Sequence, residues 1–113
     1  MRTFAAVWIA ALVASGSGLA AERNAYPTVA IADYVFGCMA SNGQTREALE
    51  RCSCSIDVIA SILPHDKYVE AETVMRLRQV GGEKSTLFRT APAMRAAVAT
   101  LKRAQAEAEI RCF

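Results

Sequence analysis

Four residues in this chain could carry sulfur chemistry: Cys38, Cys52, Cys54 and Cys112. Three lie between positions 38 and 54, and the fourth is next to the last residue. Cys52-Ser53-Cys54 is the one close pair. A cysteine becomes nucleophilic when its thiolate is stabilised, most often at a helix N-terminus or beside a cation. Here the pair is expected well inside a helix, with Arg51 as the adjacent cation, which argues against a redox-active Cys-x-Cys. Structural zinc usually takes two tight cysteine pairs, each separated by about two to four residues. With a single tight pair and a distant fourth cysteine, no metal site is expected. Four cysteines in a small exported chain read best as two disulfides.

His65 is the only histidine, so any Ser-His-Asp chemistry would have to use it. It follows Pro64 in a turn and is expected as a solvated loop residue or a neighbour of a helix N-terminus. Asp57 and Asp66 are the nearest carboxylates; Asp57 is expected on the solvated flank of a helix, and Asp66 as a helix cap. No nucleophile elbow, phosphate loop, dinucleotide fingerprint, EF-hand loop or haem-attachment motif is present. These readings point to a protein that is not an enzyme and holds no cofactor or metal.

Charge offers a different candidate. Arg76, Arg78, Lys84, Arg89, Arg95, Lys102 and Arg103 are interrupted by Glu83 alone, whereas the stretch from Glu47 to Glu72 has an acidic excess. The sharper reading is a basic face for an anionic partner, such as an acidic protein surface or phospholipid head groups. The simpler one is two solvated faces that attract each other across a bundle. Nucleic acid is a poor partner for an exported chain with net charge near zero and no aromatic interleaving.

The elements that must position these residues follow from periodicity. Met1–Ala21 reads as a signal peptide, with Arg2 ahead of the apolar run Phe4–Ala14. Cleavage is expected after Ala20, or alternatively after Ala21, which sends the protein to the periplasm. No later segment is long and apolar enough to anchor it in a membrane. The mature chain then has about 93 residues and a net charge near +1. Residues 21–27 form a flexible lead-in, and residues 28–113 form an all-α, disulfide-stapled bundle of about four helices.

The first helix starts at Pro27 or Thr28, with an apolar stripe of Val29, Ala32, Val35, Phe36, Met39 and Ala40, and ends at Asn42-Gly43. Gly37 is expected to admit a neighbouring helix at close approach. The second helix is capped by Thr45, stopped by Pro64 and touched on two sides. The third, capped by Asp66, runs to about Val80 and stops at Gly81-Gly82. Ser85–Phe88 forms a short helical turn, and Thr90 caps the last helix with Pro92 in its first turn.

In that hairpin Cys38 lies about one turn before the break and Cys52 about two turns after it. Cys54 lies about 200° around the helix from Cys52. Depth favours Cys38–Cys52 with Cys54–Cys112, and the crossed pairing, Cys38–Cys54 with Cys52–Cys112, stays open.

Tyr34-Val35-Phe36-Gly37-Cys38-Met39 and Cys52-Ser53-Cys54-Ser55-Ile56-Asp57-Val58-Ile59-Ala60 resemble a group of small uncharacterised exported proteins of proteobacteria. The group is associated with periplasmic alcohol oxidation by quinoprotein dehydrogenases and their cytochromes. In size and stapling the chain is also similar to acid-activated periplasmic chaperones and to secretion-system immunity proteins. The resemblance implies a non-enzymatic accessory protein that docks on another exported protein. A periplasmic stress chaperone and a thiol–disulfide exchange protein are the alternatives.

Overall fold

The computed structural model describes residues 26–113, so the signal peptide and residues 21–25 of the lead-in lie outside the described residues. Five helices follow one another: α1 (Thr28–Asn42), α2 (Arg46–Ile62), α3 (His65–Gln79), α4 (Glu83–Thr90) and α5 (Pro92–Cys112). No strand occurs among the described residues, and the protein is an all-α bundle. The expected turn at Ser85–Phe88 grows into a short helix, Glu83–Thr90, so the bundle has one element more than periodicity indicated.

Local chemistry sets most of the boundaries. The Thr45 hydroxyl accepts from the Ala48 amide at 3.0 Å, which satisfies one of the free amides at the start of α2. Glu47 sits in the same first turn, where its charge complements the helix dipole. Gly43 ends α1 with φ 105° and Gly82 precedes α4 with φ 114°, backbone that side chains with a Cβ rarely adopt. Two expected caps are corrected. Helix α3 begins at His65, so Asp66 lies inside the first turn and makes no cap. Thr90 is the last residue of α4 and donates to the Thr86 carbonyl at 2.8 Å, leaving Ala91 to precede α5. In both cases a proline fixes the entry: Pro64 in an extended conformation before α3, Pro92 in the first turn of α5.

The core lies along α2. Ala48, Cys52, Ser55, Ile56 and Ile59 are buried on it, and Leu63 is buried just beyond. Leu101, Ala104 and Ala108 of α5 join Ile56, Ile59 and Leu63 in one cluster, and Val98 is buried nearer the start of α5. Small Ala104 and Ala108 let the two helices approach closely, while Ile56, Ile59 and Leu101 supply the buried volume. Each of those large side chains contributes about 1.5–3 kcal/mol by leaving water. Tyr68 and Ala71 bring α3 onto the same core.

Two assignments change at the N-terminal side. Tyr26, read from sequence as part of the lead-in, is 5% exposed and belongs to the core. Its hydroxyl donates to the Leu63 carbonyl at 2.7 Å, and its ring meets those of His65 and Tyr68 at 5.0 and 5.3 Å. The apolar stripe expected on the inside of α1 is largely outside it. Ile31, Tyr34 and Val35 face the core, whereas Val29, Ala32, Phe36 and Ala40 are exposed. The position of Cys38 dictates this rotation, because its bridge to Cys52 turns the Tyr34–Cys38 side of α1 toward α2.

Candidate functional site

Cys38 is joined to Cys52 and Cys54 to Cys112, each with Cα atoms 5.8 Å apart. This is the arrangement that depth favoured. Cys52, fully buried, ties α1 to α2, and Cys54 ties α2 to the end of α5. The two cysteines of the close pair therefore serve separate bridges, and no cysteine is free. Such disulfides mark an oxidising, extracytoplasmic environment.

The bundle is packed along the α1–α2, α2–α5 and α3–α5 seams, while the seam between α1 and α3 is open. It forms a groove of about 630 Å³. Ser55 of α2 and Leu101 of α5 lie at its floor, both nearly fully buried. Tyr34, Gly37 and Cys38 line it from α1; Tyr68, Glu72 and Arg76 line it from α3. Glu109 and Phe113 close the α5 side, where the Arg51 guanidinium lies 5.8 Å from the centre of the Phe113 ring. Each bridge thus holds one wall of the groove to α2.

Gly37 does not serve close helix approach. A Cβ placed there meets nothing within 4 Å, so the missing side chain leaves open space in the groove wall.

Tyr68 is 6% exposed and lines the groove, and no buried side-chain nitrogen or oxygen among the described residues lacks a hydrogen-bond partner. Burial pushes the Tyr68 phenol well up, and the carboxylates of Glu72 and Asp33 add to the effect, as do Tyr34 and Tyr26. The Tyr34 phenol is also pushed up, first by burial; Ser55 opposes the shift and Glu109 reinforces it. Both phenols are therefore neutral at ordinary pH, and the charge of the groove comes from Asp33, Glu72 and Glu109 against Arg76. Arg76 is paired with Glu72 at 3.2 Å, whereas Asp33 and Glu109 have no ion-pair partner among the described residues.

The seven cations singled out from the sequence are spread over different features. Arg76 lines the groove, Lys84 lines a cavity beside Val80 and Phe88, and Arg103 lines another beside Ile62 and Arg111. Arg78 donates to the Phe88 carbonyl at 2.8 Å and Arg89 to the Arg78 carbonyl at 2.9 Å, a reciprocal clamp between α3 and α4. Arg95 and Lys102 are exposed on α5. Every ion pair among the described residues links neighbours on one helix.

Of the two places expected for His65, the structure gives the helix N-terminus and not the solvated loop. It is half-buried at the start of α3 and stacks at 6.4 Å on Tyr68. No group of three or more His, Cys, Asp or Glu among the described residues is placed to hold a metal ion. No described helix is long and apolar enough to cross a membrane.

Sequence reasoning missed the groove because its walls come from four helices. Tyr68 carries the periodicity of a core residue, and nothing local to it shows that its hydroxyl opens onto a cleft. The fold and bridges define a small, all-α, disulfide-stapled bundle. No protein-family model, curated protein or solved structure matches the chain.

Proposed function

We propose that this protein is a non-enzymatic binding module of the periplasm, exported by a signal peptide cleaved after Ala20 or Ala21, that docks on another exported protein through the outer face of α1. The observation that carries this reading is the orientation of α1. None of its residues is fully buried, and Val29 and Phe36, about two turns apart on one face, are 75% and 76% exposed. Ala32 and Ala40 extend the same stripe. A row of apolar side chains kept in water along one helix face is the signature of an interaction surface. The disulfides support the role: they fix α1 to α2 without leaving a thiol for catalysis. The resemblance to proteins associated with periplasmic quinoprotein alcohol oxidation makes a component of such a redox system the first partner to test.

Site-specific photocrosslinking in the host periplasm tests the reading. A photoreactive side chain in place of Phe36 should label one exported protein other than this chain. The same group in place of Thr100, exposed on α5, should not. Val29→Glu should remove the adduct. Equal labelling from both positions, or an adduct only at twice the mass of the chain, would refute docking on a different protein through α1.

A further inference from the structure

We propose that the outward face of α5 is a contact surface for an anionic phospholipid membrane, to which the protein adheres reversibly through Arg95, Lys102 and Arg103. This inference is independent of docking through the outer stripe of α1, which lies on a different helix. At about 100° per residue, Arg95, Ala99, Lys102, Arg103, Ala106 and Ile110 fall within a strip about 100° wide and about 22 Å long, and all six are exposed. Leu101, Ala104 and Ala108 fall on the opposite side of the helix, in the core.

Charge selects the kind of partner. Arg95, Lys102 and Arg103 have no ion-pair partner among the described residues. The strip contains no acidic residue. Glu107, one helical turn beyond Arg103, is held by Arg111 at 2.8 Å, and Glu109 turns to the groove on the other side. Three uncompensated cations along one face attract a surface of opposite sign. The exposed stripe of α1 carries no cation at all.

The rest of the strip selects a membrane over an acidic protein. Ala99 and Ala106 keep the surface low between the cations, so all three can reach one plane. Ile110, 80% exposed, stands at one end of the strip, and the exposed Ile62 of α2 shares a cavity with Arg103. Long cationic side chains keep their heads at the level of lipid head groups, and an aliphatic side chain beside them enters the boundary beneath. An acidic protein surface would match the cations and leave Ile110 in water. Each cation near an anionic membrane adds about fivefold in affinity, so three add about 100-fold. The contact is superficial, because no described helix is long and apolar enough to cross a membrane.

The test uses the mature, disulfide-bonded chain and vesicles of phosphatidylcholine, alone or mixed with an equal part of phosphatidylglycerol, with bound protein recovered by flotation. The mixed vesicles should bind about 100-fold more tightly than phosphatidylcholine alone. That preference should vanish at about 1 M salt, where the screening length falls to about 3 Å. The variant Arg95→Gln/Lys102→Gln/Arg103→Gln breaks no ion pair, so it should melt like the parent while binding both vesicles nearly alike. Ile110→Ser should weaken binding to the mixed vesicles about fivefold. Phe36→Ser, on the stripe of α1, should leave it unchanged. No preference for the mixed vesicles, a preference that survives high salt, full binding by the glutamine variant, or loss of binding in Phe36→Ser would overturn the assignment. Tighter binding of a glutamate-rich peptide than of mixed vesicles at equal total charge would also overturn it, in favour of an acidic protein.

Discussion

Removing the Cys54–Cys112 bridge should destabilise the protein more through its unfolded state than through any lost contact. The bridge joins residues separated by 58 positions, the Cys38–Cys52 bridge residues separated by 14. With the loop-closure relation for cross-linked chains, the longer loop contributes about 4 kcal/mol and the shorter about 3 kcal/mol at 25 °C. The double variant Cys54→Ala/Cys112→Ala replaces two half-buried side chains, so packing adds little. Cys38→Ala/Cys52→Ala also empties a fully buried position at Cys52, which adds roughly 1 kcal/mol. The two variants should therefore lose nearly equal stability, about 4 kcal/mol each, for different reasons. A domain of this size has a total stability of about 4–13 kcal/mol, so either variant should melt roughly 15–30 °C lower, and the chain lacking both bridges should not fold. Urea unfolding monitored by circular dichroism measures both. A loss below about 1 kcal/mol for Cys54→Ala/Cys112→Ala, with an unchanged urea slope, would refute the loop-closure account.

Three further outcomes follow from the geometry. Tyr26→Phe should cost about 1–3 kcal/mol, measured by thermal melting, because it strips the Leu63 carbonyl of its buried donor. Thr45→Ala should lose about 1 kcal/mol with the α2 cap, while Thr90→Ala should stay within about 0.5 kcal/mol, since its hydroxyl bonds only back along its own helix. Stability should also fall in alkali. In the unfolded chain the phenols lose their protons near pH 10, whereas in the native protein Tyr26 holds its proton to about 12 and Tyr34 and Tyr68 are likewise raised. Above pH 10 the native state binds more protons than the unfolded one, so stability is complete below that pH and declines as pH rises toward 12 and beyond. Denaturant midpoints measured across that range should fall for the parent and flatten in Tyr26→Phe.

Much of the fold was legible because the deciding forces act within a few residues. Thr45, Asn42-Gly43, Pro64 and Gly81-Gly82 bound helices by their own backbone and capping chemistry. The stripes of α2 and α5 could be read from spacing because each helix buries its most apolar face. Depth along a short hairpin is a matter of residue counting, so spacing favoured the observed bridges, though it left the crossed pairing open.

Spacing failed where a long-range constraint outweighed hydrophobicity. On α1 the apolar residues nearly encircle the helix, so periodicity could not choose a face; the bond from Cys38 to Cys52 chose it and left Val29 and Phe36 in water. Tyr26 looked like lead-in because its anchors, Leu63 and Tyr68, lie across the bundle. The sequence by itself determined four of the five helices, most of their ends and the stapled, extracytoplasmic character, all consequences of local backbone chemistry and sulfur. Only the tertiary structure decided that one seam stays open and that Tyr68 lines it, because a groove exists only in the distance between helices that the chain order keeps apart.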